Sequence, residues 1–252
     1  LQKGIRSMEV KRFGFGLDDN DKWLKALRGL PMGGVDDMSG EDTFYPIEKS
    51  RLRRKLAVPA QGRLYYVRYA LKMGWSVKDI HELTQIDPWF LTHLKELADF
   101  EDELVDIGRE LRPTPQEWIN ACQDGCDSEA WVAMSAEHPN SRSRLAKVLN
   151  RAKQWGYSDI QLGYAWGTDP LAVRRLRQEG LGIKPVYKLV DTCAAEFEAY
   201  TPYYYSAYES PIIQVSDDGT LSETTEDEIR VTDKKKIVIL GGGPNRIGQG
   251  IE

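Results

Sequence analysis

Two stretches of the sequence decide the fold, because they carry the same pattern: residues 74–91 read GWSVKDIHELTQIDPWFL and residues 156–173 read GYSDIQLGYAWGTDPLAV. The match extends over residues 62–97 and 144–179, at an offset of 82 residues. The identical positions are Ala70/Ala152, Gly74/Gly156, Ser76/Ser158, Asp87/Asp169, Pro88/Pro170 and Leu94/Leu176. Apolar residues also coincide, at Val67/Leu149, Ile80/Leu162, Leu83/Ala165 and Leu91/Val173. Their helical spacing predicts amphipathic helices in both copies.

Helix starts are marked in each copy. Ser76 and Ser158 are typical N-cap residues, because a short side-chain oxygen accepts hydrogen bonds from the free N–H groups of the first turn. Asp87 and Asp169 have the same role, and the proline after each is tolerated at the first helical position. Each copy therefore predicts a helix, a glycine stop, a Ser-capped helix, a short turn and an Asp-Pro-capped helix.

Further helices are expected outside the two copies. Residues 1–10 predict the end of a helix, which the FGFG stretch at residues 13–16 breaks. Residues 20–30 carry apolar residues at helical spacing, and residues 48–56 form a charged stretch. A capping box that begins at Thr114 predicts one or two added helices within residues 111–143.

The composition changes after Gly182. Residues 184–190 and 203–208 are rich in β-branched and aromatic residues, which favour extended segments. Residues 210–233 hold seven acidic residues and predict a solvated linker or loop of limited order. Residues 236–240 are typical of a buried parallel strand. The glycines that follow suit a close approach to an anion, but neither a dinucleotide fingerprint nor a P-loop is complete there.

Composition excludes several classes of protein. The 252 residues carry 34 basic and 39 acidic side chains, for a net charge of −5, which argues against a general nucleic-acid binder. No apolar run is long enough to span a membrane, and the small number of cysteines is typical of a cytoplasmic protein with reduced thiols. The sequence lacks an initial methionine and stops within a glycine-rich loop, which predicts a piece of a longer polypeptide.

The three cysteines, Cys122, Cys126 and Cys193, are too few for a disulfide framework and predict reduced thiols. Cys122 and Cys126 stand four residues apart on a predicted helix and could share a metal ion. The three histidines show no ligand spacing around them, so inert thiols are the expectation.

A helix-turn-helix interpretation remains open for residues 157–177. Its last helix carries Arg174, Arg175 and Arg177, as a DNA-reading helix would require. The matching helix of the first copy begins PWFL at residues 88–91, where base-reading polar side chains should stand. Net acidity and this apolar start favour packing over DNA binding.

Residues 186–197, 205–209 and 236–252 resemble the middle of the large subunit of carbamoyl-phosphate synthase, and residues 83–91 and 1–9 are similar to earlier segments of it. The resemblance implies a mainly α chain: a helical oligomerisation domain of two related helical units, followed by extended segments and the first strand of an α/β domain. It implies four parts: residues 1–18, the tail of the first ATP-grasp half; 19–183, the helical oligomerisation domain; 184–233, an extended connector and acidic linker; and 234–252, the first strand and Gly-rich loop of the second half.

The same resemblance implies that catalytic, cofactor-binding and metal-binding residues lie outside this chain, although the parent enzyme uses ATP, Mg²⁺ or Mn²⁺, and K⁺. Gly250 and Glu252 match positions near the passage that carries carbamate between the two active sites. Implied partners are a second copy, the other domains of the large chain and a small glutaminase subunit, with neither nucleic acid nor membrane.

The expected function is therefore that of a connector and docking module without turnover of its own. Bulky aromatic residues support an interface role, since Trp and Tyr suit association surfaces. Those singled out are Trp75, Trp89, Phe90, Trp155 and Trp166. A truncated nucleotide-binding enzyme of another family is the remaining alternative.

Overall fold

A computed structural model describes residues 1–8, 10, 12–30, 45–194, 196–197 and 203–237. The chain divides into two compact units, Leu1–Lys184 and Pro185–Glu252, and each is described by itself. The first unit is helical and the second holds short strands, so the predicted mainly α class is confirmed.

The described part of the first unit contains the following helices in chain order. They are α1 (Gln2–Arg6), α2 (Lys22–Leu27), α3 (Lys49–Ala57), α4 (Arg63–Lys72), α5 (Val77–Thr84), α6 (Pro88–Glu110), α7 (Pro115–Ala121), α8 (Glu129–Glu137), α9 (Pro139–Gln154), α10 (Asp159–Trp166) and α11 (Pro170–Arg175), with a π-helical turn at Leu176–Gly180.

The predicted N-caps are confirmed. Ser76 and Ser158 each accept a hydrogen bond from the backbone N–H of the third residue of their helix, and the side chain of that residue accepts one from the N–H of the cap residue. Asp87 caps α6 and Asp169 caps α11, both with proline in the first turn. Thr114 forms the predicted capping box of α7 with Glu117.

The repeat in the sequence is also a repeat in the structure. Helices α4, α5 and α6 correspond in order to α9, α10 and α11. Gly74 and Gly156 both end their first helix in the left-handed region, at φ values of 82° and 85°. Paired apolar positions are buried in both copies, as in Val67 and Leu149, so both contribute to one continuous core.

The segment between the copies forms α7 and α8, as predicted. Trp118 and Trp131 are buried and pack edge to face, with ring centroids 5.4 Å apart. These two indoles anchor the added helices on the core.

The prediction of inert thiols at Cys122 and Cys126 is wrong, because the two form a disulfide. They do not share a helix: α7 ends at Ala121, and Gly125, at a φ of 108°, turns the chain back. The turn places the two Cα atoms 5.0 Å apart, within the usual range for a disulfide. Cys193 is free.

The second unit contains two antiparallel hairpins. Strand β1 (Val186–Leu189) pairs with β2 (Tyr204–Ala207), where extended segments were predicted. Strand β3 (Ile212–Val215) pairs with β4 (Leu221–Thr224). The predicted strand at residues 236–240 lies mostly outside the described residues.

The prediction of a loop of limited order is thus wrong for residues 212–224. Gly219 adopts a φ of 81°, and Ser216 donates its N–H to the carbonyl of Thr220 at 2.9 Å. An Asp-Gly turn between β-branched residues is a strong hairpin signal, and it outweighs the acidic composition. The strands remain largely exposed, as that composition indicates.

Candidate functional site: two buried arginine clusters and an aromatic surface

A buried arginine on α4 holds the start of the chain. Arg68 donates to both carboxylate oxygens of Asp21, at 2.9 and 2.6 Å, and its Nε donates to Glu101 on α6 at 2.8 Å. All three side chains are almost completely excluded from solvent. Lys72, one turn along α4, lies 3.6 Å from the Glu101 carboxylate. We call these four residues the Arg68 cluster.

The two carboxylates of the Arg68 cluster differ electrostatically. Burial alone would raise the pKa of Asp21, but the Arg68 guanidinium and backbone N–H groups outweigh it and hold the pKa below its usual value. At Glu101 burial prevails over Arg68 and Lys72, and the pKa is raised. Burial would lower the pKa of Arg68, yet the two acids keep it well above its ordinary value. Arg68 is therefore a permanent cation around which the helices are arranged.

Asp21 connects this cluster to the residues that precede α2, which we call the N-terminal segment. Besides capping α2, it accepts the N–H of Leu17 at 2.9 Å. Gly16 leaves open the space that the Arg68 guanidinium occupies. Gly16 is therefore required here because a side chain at this position would collide with Arg68.

The N-terminal segment also binds the second helical copy. Gln161 on α10 donates to the carbonyl of Gly16 at 2.8 Å, and Arg6 donates to the carbonyl of Gly156 at 2.9 Å. Gln2, itself buried, accepts the N–H of Phe15 at 2.9 Å. The segment therefore bridges both copies.

A second cluster holds the chain where it leaves the helices. Arg177 donates to both oxygens of Asp159, at 3.1 and 2.9 Å, and to the carbonyl of Ile183 at 2.8 Å. Lys153, at the end of α9, donates to Asp159 at 2.9 Å. Arg177, Asp159 and Lys153 form what we call the Arg177 cluster.

Electrostatics of the Arg177 cluster favour the charged carboxylate. Burial would raise the pKa of Asp159, but hydrogen bonds from Arg177 and Lys153 outweigh it, and the pKa is lowered. Burial lowers the pKa of Lys153 despite its acidic partner. Because both clusters are enclosed, they are suited to fixing chain segments and poorly suited to meeting a substrate.

The five aromatic residues singled out in the sequence separate into two groups. Trp89 and Phe90, at the start of α6, are 61% and 48% exposed and pack edge to face at 4.8 Å. Trp155 is 37% exposed and packs on Phe100. Trp75 and Trp166 are partly buried, and Trp166 donates to the carbonyl of Leu104 at 2.9 Å.

The basic face of the helix-turn-helix interpretation is incomplete. Arg177 is buried on Asp159, and Arg174 donates to Gln178 in the π-helical turn. One of the three arginines meant to read DNA is therefore part of the fold.

Other sequence-based candidates fall outside what the structure describes. Gly250 and Glu252 lie beyond residue 237, so their place near a carbamate passage stays a prediction. Within the described ranges, no group of three or more His, Cys, Asp and Glu side chains could hold a metal ion. Nor does any helix there have both the length and the apolar character to cross a bilayer.

The sequence did not predict the two arginine clusters. One signal was present: Arg68 interrupts the run LYYVRYAL, where a charge inside an apolar helix requires a buried partner. Its partners lie 47 and 33 residues away, beyond the reach of a local pattern.

Comparison with known proteins identifies the domain. Residues 20–130 match the family model described as the oligomerisation domain of the carbamoyl-phosphate synthetase large chain. Carbamoyl phosphate synthase large chains from Archaeoglobus fulgidus, Rhodopirellula baltica and a Nostoc species are 38%, 40% and 38% identical to this chain over its whole length. The chain belongs to the family of these large chains. It spans 16–17% of the length of these relatives.

Proposed function

We propose that this chain is a connector and self-association module in the large chain of carbamoyl-phosphate synthase. The complete enzyme would be an ATP-dependent ligase that makes carbamoyl phosphate from bicarbonate, glutamine-derived ammonia and two ATP, for pyrimidine and arginine biosynthesis. In this proposal residues 1–18 end the first synthetase half, residues 19–183 form the helical domain, residues 184–233 are the connector and residues 234–252 open the second half. The chain by itself performs no turnover.

The observation that supports the connector role is the pair of buried clusters. The Arg68 cluster fixes the segment that enters the helical unit, and the Arg177 cluster fixes the carbonyl of Ile183, where the chain leaves it. Two reaction centres that share an unstable intermediate need a fixed separation and orientation, which a rigid block provides and a flexible tether does not.

Exposed aromatic residues support the self-association role. Trp89 and Phe90 lie inside the matched residues 20–130 and, among the described residues of that range, are the largest apolar side chains with about half or more of their surface exposed. Paired bulky aromatic rings in water are typical of an interface core. We assign the contact with a second copy to this pair.

The self-association role is tested by sedimentation velocity on the 252-residue chain. The wild type is expected to form a concentration-dependent dimer or larger species, and Trp89→Ser/Phe90→Ser is expected to remain a monomer. Leu171→Ser is the matched control, because Leu171 is 69% exposed and follows the cap of the corresponding helix of the second copy. A wild type that is monomeric at every concentration, or a double variant that still associates, contradicts the assignment.

The connector role is tested in the complete enzyme. Arg177→Met removes the bonds that hold Ile183, and it should raise the ATP consumed per carbamoyl phosphate formed, because the two reactions lose their fixed register. Arg174→Met, on the same helical segment, should leave this ratio unchanged. Equal ratios in both variants contradict the role.

Gly250 and Glu252 are assigned to the carbamate passage. A bulky side chain at residue 250 should obstruct that passage, so Gly250→Leu in the complete enzyme is expected to uncouple ATP consumption from product formation. The carboxylate of Glu252 would orient the polar intermediate by hydrogen bonding, and Glu252→Gln tests its charge. Unchanged coupling in Gly250→Leu counts against the passage.

A further inference from the structure

Helix α9 is basic, although the chain as a whole is acidic. Its sixteen residues include five arginines and lysines and no acid. Arg142 and Lys153 are used inside the fold: Arg142 donates to the carbonyl of Gly180 at 3.0 Å and lies over the Trp131 ring, and Lys153 belongs to the Arg177 cluster. The other three cations of this helix belong to neither arginine cluster.

These three cations line one groove. Arg144, Lys147 and Arg151 stand at positions i, i+3 and i+7, which lie on the same face of a helix. They border an open groove of about 520 Å³, to which α6 contributes Glu103. We call it the α9 groove. Asn140 and Ser143 also line it and add uncharged polar groups.

Arg151 is held in place before any ligand arrives. Its guanidinium lies 4.3 Å above the centre of the Phe100 ring and 5.8 Å from that of Trp155, and it pairs with Glu103. Its Nε is buried and makes no hydrogen bond to any described atom. The stacking on the two rings fixes the guanidinium and so preorganises it for an acceptor.

The other two cations are uncompensated. In the part of the chain that the structure describes, neither Arg144 nor Lys147 makes an ion pair, and both are exposed. Like charges three and four residues apart repel each other on a helix. Among the described residues, Glu103 is the single carboxylate that lines the groove, so the described lining carries a net charge of +2.

We propose that the α9 groove binds a compact polyanion that carries two or more phosphate groups. Arginine recognises phosphate oxygens through parallel N–H donors, and lysine adds a point charge. The Cα atoms of Arg144 and Arg151 are about 10 Å apart along the helix axis, at 1.5 Å per residue, so a chain of linked phosphates can reach all three cations. Val148 is the one apolar residue in the lining, so the groove recognises charge and not a ring.

The test is calorimetric titration of the 252-residue chain with inorganic tripolyphosphate, and with sulfate for comparison. The wild type is expected to bind tripolyphosphate and to bind sulfate at least tenfold more weakly. Arg144→Gln/Lys147→Gln should weaken tripolyphosphate binding at least tenfold. The control variant, Arg53→Gln/Lys78→Gln, removes the same charge from the exposed faces of α3 and α5. It should change the affinity for tripolyphosphate less than twofold. Far-UV circular dichroism verifies that each variant is folded.

One variant is expected to improve binding. Glu103→Gln removes the carboxylate that competes with the ligand for Arg151, so the affinity for tripolyphosphate should rise severalfold. The proposal is overturned if the wild type shows no binding at physiological ionic strength, or if both double variants lose affinity equally. It is also overturned if Arg144→Gln/Lys147→Gln changes the sedimentation of the chain and not its polyphosphate binding, since the groove would then be a protein contact.

Discussion

The guanidinium of Arg68 fills the volume that a β-carbon on Gly16 would occupy. Arg68 can reach Asp21 and Glu101 together because the N-terminal segment passes it without a side chain at this point. The geometry of the Arg68 cluster therefore depends on a glycine at position 16.

Gly16→Ala should disturb the Arg68 cluster. The added methyl group must displace Arg68 or the backbone, and we expect a loss of about 1–3 kcal/mol in the free energy of unfolding, as for other overpacked sites. Urea denaturation followed by circular dichroism measures it. Gly4→Ala is the control: nothing lies within 4 Å of its β-carbon position, and alanine favours the helix α1. Equal stability of the two variants would show that Arg68 adapts freely.

Removing the arginine itself should cost more. Arg68→Met leaves the buried Asp21 and Glu101 without their shared cation, and breaking such a pair typically costs about 3–5 kcal/mol. Arg53→Met, on the exposed side of α3, should change the free energy of unfolding by less than about 0.5 kcal/mol. A small loss at both positions would argue that water or Lys72 replaces the guanidinium.

The two helix-stop glycines offer a matched comparison. Gly74→Ala and Gly156→Ala both place a side chain at a left-handed φ, which costs roughly 1–2 kcal/mol. The space beside Gly74 is open, whereas a β-carbon on Gly156 would approach that of Gln2 to 3.1 Å. Gly156→Ala should therefore be the more destabilising in denaturation experiments. Equal losses in the free energy of unfolding would mean that Gln2 does not restrict the space beside Gly156.

Acid should weaken the Arg177 cluster. The folded-state pKa of Asp159 lies below its value in an unfolded chain, so the unfolded state binds more protons at low pH. Its stabilisation is complete above about pH 4, the ordinary Asp pKa, and is lost as the pH falls through the folded-state value. In Asp159→Asn the free energy of unfolding should fall less steeply with acid than in wild type. Asp106→Asn, at an exposed position of α6, should retain the wild-type slope.

Thiol counting tests the disulfide. In denaturant without a reductant, a chromogenic thiol reagent should detect one cysteine, Cys193, and after reduction it should detect three. Cys193→Ser should lower each count by one. Detection of three thiols before reduction would show that Cys122 and Cys126 are free and that the disulfide is absent.

Local patterns in the sequence predicted the helical part of the fold well. Each cap, from Ser76 to Asp169, acts within one turn, so residues next to each other are enough to recognise it. The hairpin around Gly219 was also encoded locally, but the prediction for residues 210–233 rested on their acidic composition alone and did not consider the turn.

The candidate site was less predictable. The exposed aromatic pair could be named from the sequence, but the sequence did not distinguish Trp89 and Phe90 from Trp75 and Trp166, since exposure depends on tertiary packing. The arginine clusters join helices that are distant in the chain, and spacing alone cannot pair Asp21 with Arg68. Cys122 and Cys126 were misjudged because the end of α7 at Ala121 was not foreseen.

The bridge that residues 2–16 make between the two copies has a practical consequence for protein engineering. The segment that the family model matches, residues 20–130, is smaller than the compact helical unit, Leu1–Lys184. Excised at those limits, it would lack Gly16, against which the Arg68 guanidinium packs, and it would uncover the faces of α6 and α7 that α10 and α11 shield. Truncation libraries and protease-trimmed crystallisation samples should therefore retain everything from the first residue through Lys184.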